Sequence, residues 1–101
     1  MNGVTQPVVP VDHPAFAGHF PGNPILPGVV LLDMALHEMA VDTGTALDVC
    51  EIGAVKFLHP AKPGDKLEIR HNLAEGGAIR FEIMVGGRKI AVGSILPQPL
   101  A

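Results

Sequence analysis

From residue 28 to residue 41 the chain reads Gly-Val-Val-Leu-Leu-Asp-Met-Ala-Leu-His-Glu-Met-Ala-Val, apolar at nearly every position. This predicts a helix ending near residues 42–44, where Gly44 suits the left-handed position just past a helix end. A helix apolar almost all round is one enclosed by protein, so Asp33 reads as a carboxylate held inside. After the helix the signals turn to strand. Residues 52–59 form one run stopped by Pro60, and Pro63-Gly64-Asp65 is turn chemistry. Residues 66–73 alternate, with Leu67, Ile69 and Leu73 on one face and His71 interrupting them. Gly76-Gly77 predicts a hairpin. Ile79, Phe81, Ile83 and Val85 then alternate with Arg80, Glu82 and Met84, and Gly86-Gly87 makes a second tight turn before residues 89–96. Residues 4–11 alternate loosely around Pro7 and Pro10, as an edge strand or extended arm does, and the tail from residue 97 is expected to fray. One helix and an antiparallel meander predict an α+β fold, a sheet wrapped round a central helix. A single domain over residues 1–101 is expected, without internal repeats.

Composition narrows the class. The 101 residues include no Trp or Tyr and four Phe, so aliphatic residues and Met fill the core. A hydrophobic fraction of 48% in so short a chain predicts apolar surface buried between subunits. Residues 1–55 carry six acids and no base, whereas the remainder carries seven bases against four acids. That balance argues against a nucleic-acid partner, which calls for a clustered basic excess, and leaves a local basic surface for an acidic protein. Cys50 stands alone, which rules out an internal disulfide and fits a reducing compartment. The first six residues show no basic region and no apolar run, so no secretory signal is read. Asp33 and His37 break the longest apolar stretch, so no membrane span is read either. The expected location is the cytoplasm.

Candidate chemistry concentrates in residues 18–28, Gly-His-Phe-Pro-Gly-Asn-Pro-Ile-Leu-Pro-Gly. Three prolines fix the backbone and three glycines restore the freedom proline removes. A loop built this way holds His19 still, next to the helix that carries Asp33. The other candidates are weak. Five histidines show no His-x-His spacing, and His37-Glu38 lacks a second histidine at position 41 to complete a zinc-binding pair, so no metal is expected. Cys50 has no basic neighbour in sequence and reads as a small core residue. Ser94 lacks a nucleophile-elbow context. For His19 and Asp33 two readings stand: a loop cap with a carboxylate satisfying helix-start donors, or a working pair. The second gains from the cost of an unpaired carboxylate in an apolar helix and from the free backbone N–H groups that follow Pro27.

Three segments carry a family resemblance: Gly18-His19-Phe20-Pro21-Gly22-Asn23-Pro24, then Pro27-Gly28-Val29, then Leu32-Asp33-Met34-Ala35. Together they resemble the signature of the 3-hydroxyacyl-acyl-carrier-protein dehydratases. Residues 55–60 and 63–67 are similar to the family's second half, so the likeness runs over about residues 8–96. The resemblance implies the hotdog fold, a homodimer or trimer of dimers, and active sites shared between subunits. It implies His19 as the catalytic histidine, Asp33 as the acid from the other subunit, and Gly28 as the backbone donor to the thioester oxygen. Phe20, Val29 and His37 join Gly28 as substrate-binding positions. No cofactor is implied, the substrate being carried on the phosphopantetheine of an acyl carrier protein. Arg80 and Arg88, from the basic second half, are expected to face that carrier. Three departures stand out: the elements usually found before the motif are mostly missing, His37 replaces a frequent Gln four residues after the acid, and the extended aromatic-rich loops are absent. The implied reaction is dehydration of a 3-hydroxyacyl thioester to the trans-2-enoyl thioester. The alternatives are a hotdog acyl-thioesterase or a non-catalytic partner subunit of a biosynthetic complex.

Overall fold

The computed structural model describes residues 2–16, 24–44, 47 and 50–97. Helix α1 spans Gly28–Thr43. Pro27 caps its start with φ −57°, and Gly44 ends it at φ 69°, its N–H donating to the Ala40 carbonyl at 3.0 Å. Leu31, Ala35 and Met39, spaced four apart, form the buried row of the helix. The opposite row, Val29, Asp33, His37 and Val41, is exposed, with Val29 at 75% and Val41 at 69%.

The helix lies against one antiparallel sheet of five strands: β1 (Asn2–Thr5), β2 (Cys50–Phe57), β3 (Leu67–Leu73), β4 (Ile79–Val85) and β5 (Arg88–Pro97). Their order is β1-β3-β4-β5-β2. The period-2 alternation read from the sequence sets which face is buried. Leu67, Ile69, Ile79, Phe81, Ile83, Ala91 and Ile95 turn toward the helix and are buried. Glu68, Arg70, Arg80, Glu82 and Lys89 hold the outer face, where Arg70 pairs with Glu68 at 2.8 Å and Lys89 with Glu82 at 3.2 Å. Gly86 and Gly87, at φ 57° and 79°, make the tight β4–β5 turn. The frayed tail expected from residue 97 is corrected at Pro97, which pairs with Cys50 and ends β5; residues 98–101 lie outside the described residues.

Two features depart from the expectations. His71 does not break the apolar face but occupies it: its side chain is 1% exposed, with Nε2 3.5 Å from Asp42 Oδ2 at the end of α1. That is an ion-pair distance without hydrogen-bond geometry, and among the described residues neither ring nitrogen has a hydrogen-bond partner. Asp33, read as a carboxylate held inside, is exposed. One sheet covers one side of a helix, so the apolar character of the opposite side does not by itself enclose Asp33.

β2 is one margin of the sheet and β1 the other. A register shift lies between Ile52 and Val55. Ile52 and Phe57 pair with the buried Ile95 and Ala91, so they share the helix-facing side, yet they stay 52% and 49% exposed. The helix makes its closest approach to β1 and β3, leaving the inner face of β2 largely uncovered.

Candidate active site

The site begins where α1 begins. Val30 and Leu31 donate to the Pro27 carbonyl at 3.0 and 3.1 Å, the first bonds of the helix. The N–H groups of Gly28 and Val29 therefore occupy the free positions of a helix N-terminus. No acidic side chain lies in the first turn, and among the described residues no side chain caps it. The positive end of the helix dipole is thus left to whatever docks there.

Beside Gly28 lies a cavity of about 250 Å³, walled by Ile25, Leu26 and Leu31 on one side and by residues 57–61 on the other. Leu26 and Ala61 close its floor through a backbone hydrogen bond of 2.8 Å. Phe57 is its principal wall. A Cβ added at Gly28 would stand 3.1 Å from two ring carbons of Phe57, so glycine lets the ring rest on the helix start. Polar character enters through His59, whose Nδ1 accepts a hydrogen bond from Arg88 Nη2 at 3.0 Å. A guanidinium only donates, so the neutral His59 ring carries its proton on Nε2.

The six candidate residues fall into three groups. Gly28 lines the cavity. Val29, Asp33 and His37 share the exposed row of α1, away from the buried row that Leu31 begins. His19 and Phe20 lie outside the described residues. Within one chain Asp33 therefore does not face the Gly28 cavity. His37 sits one turn from Asp33, and among the described residues neither makes a hydrogen bond or ion pair to the other. Phe57 and His59 had a motif in the sequence but no role; the signal was Gly28, whose missing side chain makes room for the ring. Among the described residues no group of three or more His, Cys, Asp or Glu is placed to hold a metal ion. A larger concavity, about 940 Å³, lies over the outer face of the sheet. None of Gly28, Val29, Asp33 and His37 lines it.

One helix packed on a five-stranded antiparallel sheet, with the free helix start opening on an apolar cavity, is the hotdog arrangement. Solved structures share it. The dehydratase heterocomplex ApeI:P from Xenorhabdus doucetiae matches with a TM-score of 0.75 and 28% identity, over 94% of this chain and 85% of that one. A probable thioesterase from Bartonella henselae matches at a TM-score of 0.70 and 15% identity, over the whole of both chains, which speaks to the fold alone. Residues 2–94 match the ApeI-like family, described as ApeI dehydratase, and the chain belongs to that family. Among curated relatives, the 3-hydroxyacyl-[acyl-carrier-protein] dehydratase FabZ of Chlamydia trachomatis serovar L2 is 34% identical over 105 aligned residues, covering 91% of this chain and 69% of the relative. The FabZ of Cereibacter sphaeroides is 37% identical over 78 residues, covering 68% and 50%.

Proposed function

We propose that this chain eliminates water from a 3-hydroxyacyl thioester carried on an acyl carrier protein, giving the trans-2-enoyl thioester. The observation that carries the reading is the start of α1, uncapped by any described side chain, where Gly28 lines an apolar cavity in a chain of the ApeI-like dehydratase family. In this reading neutral His19 takes the proton from C2, which the thioester carbonyl acidifies. The carbonyl oxygen gains negative charge and is met by the Gly28 N–H and the helix dipole. Asp33 gives its proton to the 3-hydroxyl. The C3–O bond breaks, water leaves, and the C2–H electron pair becomes the C2=C3 bond. No step draws on a metal or redox cofactor.

The acid comes from a second copy of the chain. Asp33 faces away from the cavity of its own chain, on a row bounded by exposed Val29 and Val41. The open β2 margin, with half-exposed Ile52 and Phe57, offers unpaired backbone groups and apolar surface to the same partner. A homodimer, alone or within a trimer of dimers, then brings the His19 loop of one copy to the Asp33 row of the other. Val29 and Phe20 line the acyl channel, and His37 supports Asp33.

The test is turnover of purified protein with 3-hydroxyacyl and trans-2-enoyl thioesters. Reversible hydration of the enoyl form, abolished in His19→Ala, is the expected result. Release of free thiol would mean hydrolysis instead, and inertness toward both thioesters would leave the non-catalytic partner role.

A further inference from the structure

The outer face of the sheet, turned away from α1, is not flat. Its concavity of about 940 Å³ crosses β1, β3, β4 and β5. The floor is the backbone of one cross-strand row, Gly3, His71, Phe81 and Gly93, where His71 and Phe81 turn their side chains inward. Gly3 and Gly93 end that row because the rings of His71 and Phe81 fill the inner space a Cβ would take there. The walls are the outward side chains of the two flanking rows. They stand roughly 7 Å apart, and the trough between them spans four strands, roughly 14 Å.

The two walls differ in charge. On one, Arg70 and Glu82 meet at 4.0 Å, Arg70 also holds Glu68, and Glu82 also holds Lys89. Val4 and Val92 add apolar surface to the same wall. On the other wall Asn72, Arg80 and Ser94 stand side by side on three adjacent strands. Each carries a donor, and only Arg80 carries a charge. Among the described residues Arg80 enters no ion pair, because Glu82, two residues along β4, is committed to Lys89 and Arg70. Glu51, the outward acid of β2, stands opposite Leu96, two strands from Arg80. Lys56, opposite Val92, is a second exposed cation without an ion pair among the described residues. Arg80 also lies five residues from Val85, the partner of Arg88, or roughly 17 Å along the strand. Arg80 and Arg88 are therefore not one surface, contrary to the expectation from sequence.

We propose that this trough binds a small organic carboxylate with a short apolar tail. The carboxylate oxygens take the guanidinium fork of Arg80, with the Asn72 amide and the Ser94 hydroxyl donating beside it. The tail lies along the floor against Val92. A row of donors with an uncommitted cation at its centre calls for an anion, and the apolar surface across the trough calls for a tail behind it. The volume is that of a small-molecule site. The sheet separates this trough from the Gly28 cavity, so the assignment stands apart from the dehydratase reading.

The experiment titrates the full chain with hexanoate and follows its backbone amides in proton–nitrogen correlation spectra. Hexanol and inorganic phosphate serve as the probes without charge and without tail. Hexanoate is expected to move the amides of Arg80, Phe81, Gly93 and Ser94 to saturation, and to bind about tenfold or more tighter than either other probe. Arg80→Gln should weaken hexanoate about tenfold or more and Asn72→Ala about threefold or more, whereas Arg88→Gln leaves it unchanged. The affinity falls as ionic strength rises. Shifts confined to Gly28 and Val29 would place the carboxylate in the helix-start cavity and overturn the proposal. An unchanged affinity in Arg80→Gln, or hexanol matching hexanoate, would overturn it by removing the guanidinium. Phosphate matching hexanoate would overturn it by removing the tail. Enoyl hydration plays no part in the readout, so none of these outcomes bears on the dehydratase reading.

Discussion

Gly3→Ala is expected to cost far more than a methyl group on an edge strand ordinarily does. Gly3 pairs with His71 in the β1–β3 ladder. A Cβ built there falls against the Asp42 carboxylate and His71 Cε1, with Nε2 at 2.8 Å. The Asp42 side chain is 38% exposed and can swing outward, but the His71 ring, at 1%, has nowhere to go. Relief must come from β1, which pairs only with β3 and can lift away from it. Overpacking of this kind costs about 1–3 kcal/mol. At about 4–8 °C per kcal/mol for a domain of this size, a cost of ~2 kcal/mol lowers Tm by roughly 8–16 °C. Thermal unfolding followed by far-UV circular dichroism measures it. In a His71→Ala background the same substitution should be nearly silent, a coupling of about 1–3 kcal/mol in the double-mutant cycle. If Gly3→Ala melts within about 2 °C of the parent, or if the two changes simply add, the imidazole is not the wall that confines Gly3.

Met39→Ala removes a fully buried side chain from the helix row facing the sheet and should cost about 2–5 kcal/mol by urea titration with an unchanged m-value. Asp33→Asn sits on an exposed row, so its unfolding free energy should stay within about 0.5 kcal/mol of the parent while dehydration falls at least about 100-fold. A stable variant with full activity would remove Asp33 from the reaction. Ile52→Lys places a charge on the half-exposed margin strand; sedimentation should show monomer, with activity lost and the circular dichroism spectrum retained. Gly28→Ala pushes on the Phe57 ring and should lower kcat about tenfold or more by displacing the proposed oxyanion donor. Gly28→Ala/Phe57→Leu should recover part of that loss if the ring is what transmits it.

Local chemistry made much of this legible from sequence. The helix expected over residues 28–41 runs Gly28–Thr43 and closes on Gly44 as the left-handed cap implies. The three strands after residue 66 follow the period-2 alternation to within a residue or two at each end. Properties that depend on which surfaces meet were not legible. The position of β2 at the sheet margin follows from strand order, which alternation does not encode. Asp33 and His71 were each misplaced for that reason: an apolar helix looks enclosed whether or not its second side is covered, and a histidine in an alternating strand looks like an interruption until Gly3 and Asp42 make room beside it. The motif names candidate residues, but the division of Gly28 and Asp33 between two sides of one helix is a matter of helical phase against the sheet.

The bare β2 strand also bears on how the protein must be handled. Among the described residues no strand pairs with the outer edge of β2, and an open edge of that kind invites an extended segment to add itself. With the proposed homodimer, thermal resistance should climb as the protein is concentrated, because self-association would draw on the folded population. Freshly refolding material at high concentration, its edge strands not yet paired, would be the form most prone to precipitate.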